Sequence, residues 1–572
     1  MLIRSARAEP EGFRITPQLV TCAVRGSGAL DGEGIQARHE VTLHAKEKWV
    51  RPPFGSPLRP GTTYAMIVKT GIKDMLGAPF AQDDDFAAML AATPPADADA
   101  DVAAAYAAYQ PLRDYIAAGK IAASDLAVAA VFTVQKYEDP LAAIATAVAA
   151  ADAPQVEGMV RCGDPGAVSP CDDGKTGADH LRGCLAADSA STNFDEYQGT
   201  ISLPVLQQGT APYLTPGDGG GIVYDATGAA TIQDTQKVCF ALTVPKGAVP
   251  AAGWPLVVYG HGTGGSYRSI VDLGLSDDLA QGAAAAGVDG DGGASAAAVP
   301  MAMLGYDGIL HGTRNGGSTK PVGELVYNFL NPVAARDNAL QAAADLVAIP
   351  RGLAGLAAPE IEIDGTRLAL YGHSQGGNGA SLVAASQSSY GAIVMSGTGG
   401  TLIFTLLEKT QPINVPAVLP YLLGAGSAAQ VDASHPVLNL MQLYFERSDS
   451  VNFGRRLFHE PLPDMTAHHI LHVYGTHDSY AVVDTQRDYA LAASFHVALP
   501  IVDDFGLKGV APPVNDNEYF GSYGKLTAVE IQYRPTGNYD GHFVSTQNPA
   551  ARKAIQEMLV TFARDGVPTV SP

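Results

Sequence analysis

One short stretch constrains the fold more than any other. Leu368-Ala369-Leu370-Tyr371 is an apolar run that ends abruptly in Gly372-His373-Ser374-Gln375-Gly376. The chain then continues through small residues, Gly377-Asn378-Gly379-Ala380, that suit a closely packed helix start. A strand, a one-residue turn and a helix in this order fit where a buried parallel strand delivers a residue to its carboxyl edge. The glycines let strand and helix approach, and the helix N-terminus points at whatever sits on the turn. Ser374 is therefore the candidate nucleophile, and the spacing predicts a sheet covered by helices on both faces.

The surrounding pattern agrees. Short apolar runs stopping in glycine, at PLVVYGHG (255–262), PMAMLGYDG (300–308), GAIVMSG (391–397) and HILHVYGTHD (469–478), read as buried strands. AARDNALQAAADLVAI (334–349) and ARKAIQEMLVTFARDG (551–566) read as helices, the last ending at Gly566. Alternation of this kind implies a mostly parallel central sheet flanked by helices, placed at 155–572. Residues 401–468 are too long for a plain connection; LIFTLLEK, VPAVLPYLLG and HPVLNLMQLYF predict a helical cap or lid there. Residues 1–95 read as β structure, from HEVTLHA (39–45) and TTYAMIVKT (62–70), with too few strands for a full sandwich. Residues 96–154, including ASDLAVAAVF, are Ala-rich at helical spacing and predict a helical connector. The low-complexity stretch 282–298 reads as a surface loop; Asp289 and Asp291 within it could meet calcium, but no EF-hand pattern surrounds them.

Composition narrows the partners. The 572 residues carry a formal charge of −22, which repels nucleic acid and anionic membrane surfaces. The five cysteines (Cys22, Cys162, Cys171, Cys184, Cys239) include no CxxC pair, and no histidine stands at zinc-finger spacing, so no metal site is expected. Cys162, Cys171 and Cys184 lie in a Gly/Asp-rich loop that suits one or two disulfides and an oxidising compartment. No run of about 18 apolar residues occurs, and the first residues carry no signal-peptide pattern.

A serine needs a base, and the base needs an orienting acid. His542, in YDGHF before the final helix, is the candidate base, and Asp478, at the end of strand ILHVYG, the candidate acid. Asp449, Asp484 and Asp540 compete for the acid's place. An oxyanion hole requires backbone N–H groups where charge develops. Gln375 should supply one, and His261-Gly262-Thr263-Gly264-Gly265 the other, through Thr263 or alternatively Gly264. The cluster Tyr306-Asp307-Gly308-Ile309-Leu310-His311-Gly312-Thr313-Arg314 lies at the same sheet edge, where Asp307, His311 and Arg314 could shape a pocket or brace the oxyanion loop. His261, His373, Asp307 and His311 are the candidate substrate-contacting side chains.

Through GHGTGG, HGTR, GHSQGG, GTHD and DGH, the chain resembles the α/β-hydrolase superfamily. It looks most like bacterial extracellular esterases and lipases of the virulence-factor type, in which an immunoglobulin-like N-terminal module, similar to 57–80 here, precedes the hydrolase domain. The resemblance implies hydrolysis of small-molecule or lipid carboxylic esters through an acyl-serine, without cofactor, in a secreted or cell-envelope protein that could work at a polymer or lipid surface. Polyester or amide hydrolysis on the same residues is the alternative chemistry. A hydrolase fold serving only binding or adhesion is the alternative without chemistry.

Overall fold

The computed structural model describes residues 3–4, 40–44, 47–51, 53, 55–73, 77–96, 98–177, 180–185, 191–282, 298–356, 358, 361–425, 431–521 and 523–572. Cys22, Asp289 and Asp291 lie outside them. The chain divides into two compact units, Met1–Tyr137 and Glu138–Pro572.

In the first unit Ile3–Arg4, Glu40–His44 and Glu47–Arg51 form a small antiparallel sheet. Thr63–Lys69 forms the strand expected at 62–70, but its antiparallel partner is Leu126–Thr133. Three helices intervene, Asp84–Leu90, Ala100–Ala108 and Gln110–Ala117. Asp83 and Asp99 cap the first two through side-chain bonds to Asp85 N and Val102 N. Phe86, Leu112, Leu126 and Ala129 make the core of this unit. The segment ASDLAVAAVF is thus a short turn and a strand, not the helix its alanines predict. The apolar pairing surface offered by Ala65, Ile67 and their neighbours outweighs alanine's intrinsic preference. The expected connector is consequently divided between the units.

The second unit is built on an eleven-stranded sheet. In chain order its strands are β1 Val156–Arg161, β2 Phe194–Val205, β3 Asp234–Pro245, β4 Trp254–Gly260, β5 Ala302–Tyr306, β6 Ile363–His373, β7 Ala392–Ser396, β8 His469–Gly475, β9 His496–Ala498, β10 Gly509–Val510 and β11 Ala528–Tyr533. Their spatial order is β1-β2-β3-β5-β4-β6-β7-β8-β11-β9-β10. Pairing is antiparallel from β1 to β5 and parallel from β5 through β4, β6, β7, β8, β11 and β9 to β10. Every residue of β4, β5, β7 and β8 is buried, as strands covered on both faces must be.

The longer helices of the unit are α1 Asp139–Ala150, α2 Leu275–Gln281, α3 Pro332–Ala348, α4 Gln375–Ala384, α5 Leu402–Glu408, α6 Val415–Leu422, α7 Pro436–Phe445, α8 Val483–Ala493 and α9 Pro549–Asp565. Alternate strand residues (Val257 and Tyr259, Ala369 and Tyr371, Leu471 and Val473, Val529 and Ile531) point to one face and join Leu275 and Leu279 of α2 and Ile555, Met558 and Phe562 of α9 in one core. On β4, β6 and β7 packs α4, with α3 against it and α1 against α3. Helices α5, α6 and α7 fall in the insertion expected between β7 and β8, held together by Ile403, Leu406, Val415, Leu419 and Leu438.

Four cysteines pair as Cys162–Cys184 and Cys171–Cys239, closing loops of 22 and 68 residues. Restricting the unfolded chain this way stabilises the fold by about 3 and about 4 kcal/mol in the loop-entropy account. Cys239 lies on β3, so the second bridge ties the Gly/Asp-rich loop to the sheet.

Two buried histidines at the start of β8 make stability depend on pH. Burial brings both His468 and His469 down to about 4. His469 Nδ1 also accepts from Thr527 N at 3.0 Å, a bond that a protonated ring could not accept. Because both folded-state values lie below that of an unfolded histidine, the unfolded chain binds more protons between about pH 6.5 and 4. Stability should be fully present near pH 7 and fall below 6.5, by about 2 kcal/mol per histidine at pH 5. Urea midpoints at the two pH values measure this; a midpoint for the His469→Gln variant that drops as much as wild type's would contradict it for that residue.

Candidate active site

The sheet ends its central strand in an unusual conformation. β6 stops at His373, α4 starts at Gln375, and the residue between them, Ser374, has φ 56° and ψ −117°. A non-glycine residue held there stores on the order of 1–3 kcal/mol, and such strain clusters at functional sites. Ser374 N–H donates to the Ser396 carbonyl on β7 at 2.7 Å, which pins the turn to its neighbouring strand. A Cβ at Gly376 would stand 2.0 Å from the Gly260 carbonyl of β4, so only glycine lets α4 start this close to the sheet. The serine therefore stands at the carboxyl end of a central parallel strand, over the start of a helix, in a sheet that is antiparallel from β1 to β5 and parallel from β5 onward. The fold is that of an α/β-hydrolase.

Within this hydrolase fold, the loop after β8 and the loop before α9 bring Asp478 and His542 together. His542 Nδ1 lies 2.8 Å from Asp478 Oδ2 across 64 residues of sequence, and both side chains are buried. Asp478 also accepts from Tyr480 N and Ala481 N at 2.8 Å and from Gln486 Nε2 at 3.0 Å. With the Asp478 oxygens accepting from four donors, His542 is held with its proton on Nδ1, leaving Nε2 as an acceptor. The Tyr480 ring stacks on the imidazole at 4.8 Å and 14°. On another side Gly397, at φ 56°, has room for no side chain: a Cβ there would be 2.8 Å from His542 Cε1.

The competing carboxylates have other tasks. Asp540 accepts from Ser479 N, Ser479 Oγ and His542 N, shaping the loop that carries the histidine. Asp449 accepts from Thr401 N, Leu402 N and Gln442 Nε2, fastening the base of the helical insertion. Asp484 pairs with Arg487.

The glycine-rich loop after β4 lies against the nucleophile: a Cβ at Gly262 would be 3.0 Å from Ser374 Cβ. Thr263 Oγ1 donates to Gln375 Oε1 at 2.9 Å, so the residues carrying the two expected oxyanion donors are tied to each other. Gln375 is the first residue of α4, where a backbone N–H has no partner within the helix. The alternative donor is excluded by its own bond: Gly264 N–H donates to His311 Nε2 at 2.9 Å.

His261, Asp307 and His311, expected among the substrate contacts, instead form the bracing beneath this loop. His261 Nε2 accepts from Gly308 N at 3.0 Å, while its Nδ1 donates to the Gly262 carbonyl at 2.8 Å. His311 repeats the arrangement, accepting from Gly264 N and donating to the Ile309 carbonyl at 2.8 Å. Both rings must be neutral to do this, and burial lowers the pKa of each. Asp307 is fully buried, accepting from Tyr267 N and pairing with Arg182 at 2.5 Å. Arg314 sits below, donating to the Asp307 carbonyl and to Asp345. His373 is placed differently. Its ring lies 4.8 Å from that of His542, and burial, with His542 and His261 nearby, keeps it well below the usual histidine range.

Several residues at the site left no mark in the sequence. Arg182 comes from the cystine-closed loop, Tyr327 from the segment before α3, and Lys409 from the end of α5. Tyr327 Oη is 3.1 Å from Thr263 Oγ1, and Lys409 Nζ donates to the Tyr480 carbonyl at 2.6 Å. Tyr480, two residues past the acid, was reachable by position alone.

No family model matches the chain. No curated protein matches it either. Solved structures do. An acetyl xylan esterase from Paenibacillus sp. R4 is similar at 15% identity and a TM-score of 0.36, over 71% of this chain and 89% of that one. Acetyl xylan esterase 1 from Thermoanaerobacterium sp. JW/SL YS485 is similar at 13% identity and 0.34, over 70% and 89%. An acylaminoacyl peptidase from Pyrococcus horikoshii is similar at 9% identity and 0.32, over 59% and 40%.

Proposed function

We propose that the protein is a serine hydrolase of carboxylic esters, with Ser374 as nucleophile, His542 as general base and Asp478 as the orienting acid. The observation that carries the reading is Ser374 held in a strained conformation at the sheet edge while a buried His542–Asp478 pair stands at the same edge, with no bond to Nε2 among the described residues. Ser374 Oγ attacks the ester carbonyl as His542 Nε2 takes its proton. The oxyanion forms against the Gln375 and Thr263 N–H groups. Collapse breaks the bond to the alkoxy oxygen, which leaves as the alcohol with the proton from His542. Water, deprotonated by the same nitrogen, then attacks the acyl-serine and releases the acid. Asp478 holds Nδ1–H and stabilises the imidazolium without taking the proton.

The insertion of α5, α6 and α7 acts as the cap in this reading. Its link to the site is the docking of Thr410 N and Gln411 N onto the Ser479 carbonyl, next to the acid. Two cystines support an exported location.

A fluorophosphonate probe and a series of p-nitrophenyl esters of increasing acyl length test the reading. One equivalent of label should attach to Ser374, and labelling should abolish ester hydrolysis. Unlabelled protein, or full activity after labelling, would leave the hydrolase fold without this chemistry.

A further inference from the structure

Lys409 is the one site-proximal cation with no counter-ion among the described residues. Its Nζ has three donors, and the acceptor in contact is the Tyr480 carbonyl at 2.6 Å. The carboxylate that acts on it electrostatically is Asp478, whose oxygens already accept from Tyr480 N, Ala481 N, Gln486 Nε2 and His542 Nδ1. The adjacent Glu408 is engaged with Asp484. Burial lowers the lysine to about 8, so it remains mostly protonated at neutral pH.

Its position relates it to the reacting centre from two sides. Through Tyr480, whose ring stacks on His542 at 4.8 Å, it adjoins the base. Through Tyr327, whose ring centroid is 5.6 Å from Nζ and whose hydroxyl is 3.1 Å from Thr263 Oγ1, it adjoins the oxyanion loop. A shielded ammonium with two spare donors is costly unless an anion completes it.

We propose that Lys409 binds a carboxylate on the non-reacting end of the substrate, so that the site takes half-esters of dicarboxylic acids, ester end at Ser374 and anionic end at Lys409. This rests on the serine-hydrolase reading of the site.

The test compares p-nitrophenyl half-esters of succinic, glutaric and adipic acid with neutral p-nitrophenyl esters of equal chain length. Wild type should favour the best half-ester over its neutral counterpart by about 10-fold or more in kcat/KM, the size expected of a charge-assisted hydrogen bond. Lys409→Met should bring that ratio to about one, and Lys409→Arg should retain most of it. A wild-type ratio near one, or equal losses on both esters in Lys409→Met, overturns the proposal and marks Lys409 as a brace for the Tyr480 loop. Calorimetry of monomethyl glutarate with the Ser374→Ala protein reads the same contact without turnover; Lys409→Met should weaken that binding about 10-fold or more, and unchanged or undetectable binding in the parent counts against it. Charge-dependent binding without hydrolysis of any ester would instead remove the serine-hydrolase reading and leave the anion site standing.

Discussion

Ser374→Ala should lower kcat for p-nitrophenyl ester hydrolysis by about 10⁴-fold or more, with His542→Ala close to it and the double variant little worse than either. The reason is that nucleophile and base act as one unit: without the base the hydroxyl stays a weak nucleophile, and without the hydroxyl the base has nothing to activate. What survives should be the contribution of the oxyanion donors and of substrate positioning, since Gln375 N–H and Thr263 N–H are backbone groups that neither change removes. Folding should be preserved, and Ser374→Ala should gain slightly in stability if its backbone relaxes from φ 56°. The measurement is steady-state kinetics on purified variants together with thermal unfolding. Additive losses in the double variant would mean that the two residues are not working on the same proton.

The second large effect separates Asp478 from its neighbours. Asp478→Asn should reduce kcat by about 10⁴-fold, because an amide in that place offers His542 Nδ1 either an acceptor or a donor and stabilises the wrong tautomer. Asp540→Asn is the informative control. Asp540 lies two residues from the base and accepts from its backbone N–H, yet it makes no contact with the ring among the bonds described, and an amide oxygen can still accept from His542 N. Its loss should cost about 10-fold or less in kcat, with a lower melting temperature as the main effect. Equal kinetic losses in the two variants would move the orienting role away from Asp478.

How much of this was legible beforehand depended on whether a feature is local. The elbow is local, since strand, turn and helix are adjacent in sequence. The mostly parallel character of the sheet and the helical character of 401–468 likewise follow from alternation and periodicity. Asp478 could be nominated but not separated from Asp449, Asp484 and Asp540, because what separates them is which backbone N–H groups surround each carboxylate. The strand at 126–133 was misread because its alanines carry helical preference and its partner lies more than fifty residues earlier. His261, His311 and Asp307 were found as residues, but for Asp307 and His311 the choice between pocket and brace stayed open in sequence. A histidine at a sheet edge looks the same in sequence whether it faces a ligand or holds a glycine N–H from below. Arg182 and Lys409 reach the site from loops whose path no spacing rule describes.

The pairing of Arg182 with Asp307 has a consequence for how such a sequence can change over time. Either residue alone leaves an uncompensated charge buried beneath the oxyanion loop, at a cost of about 3–5 kcal/mol, a large part of the 5–15 kcal/mol that typically separates folded from unfolded domains. A lineage therefore cannot drift through one substitution and then the other without an impaired intermediate, and the pair behaves as a single inherited character. Gly183 N–H donates to Tyr267 Oη at 2.8 Å and Cys184 closes the bridge to Cys162, so that character extends to the cystine beside it. Among divergent descendants, the arginine, the aspartate and the bridge should be kept together or lost together.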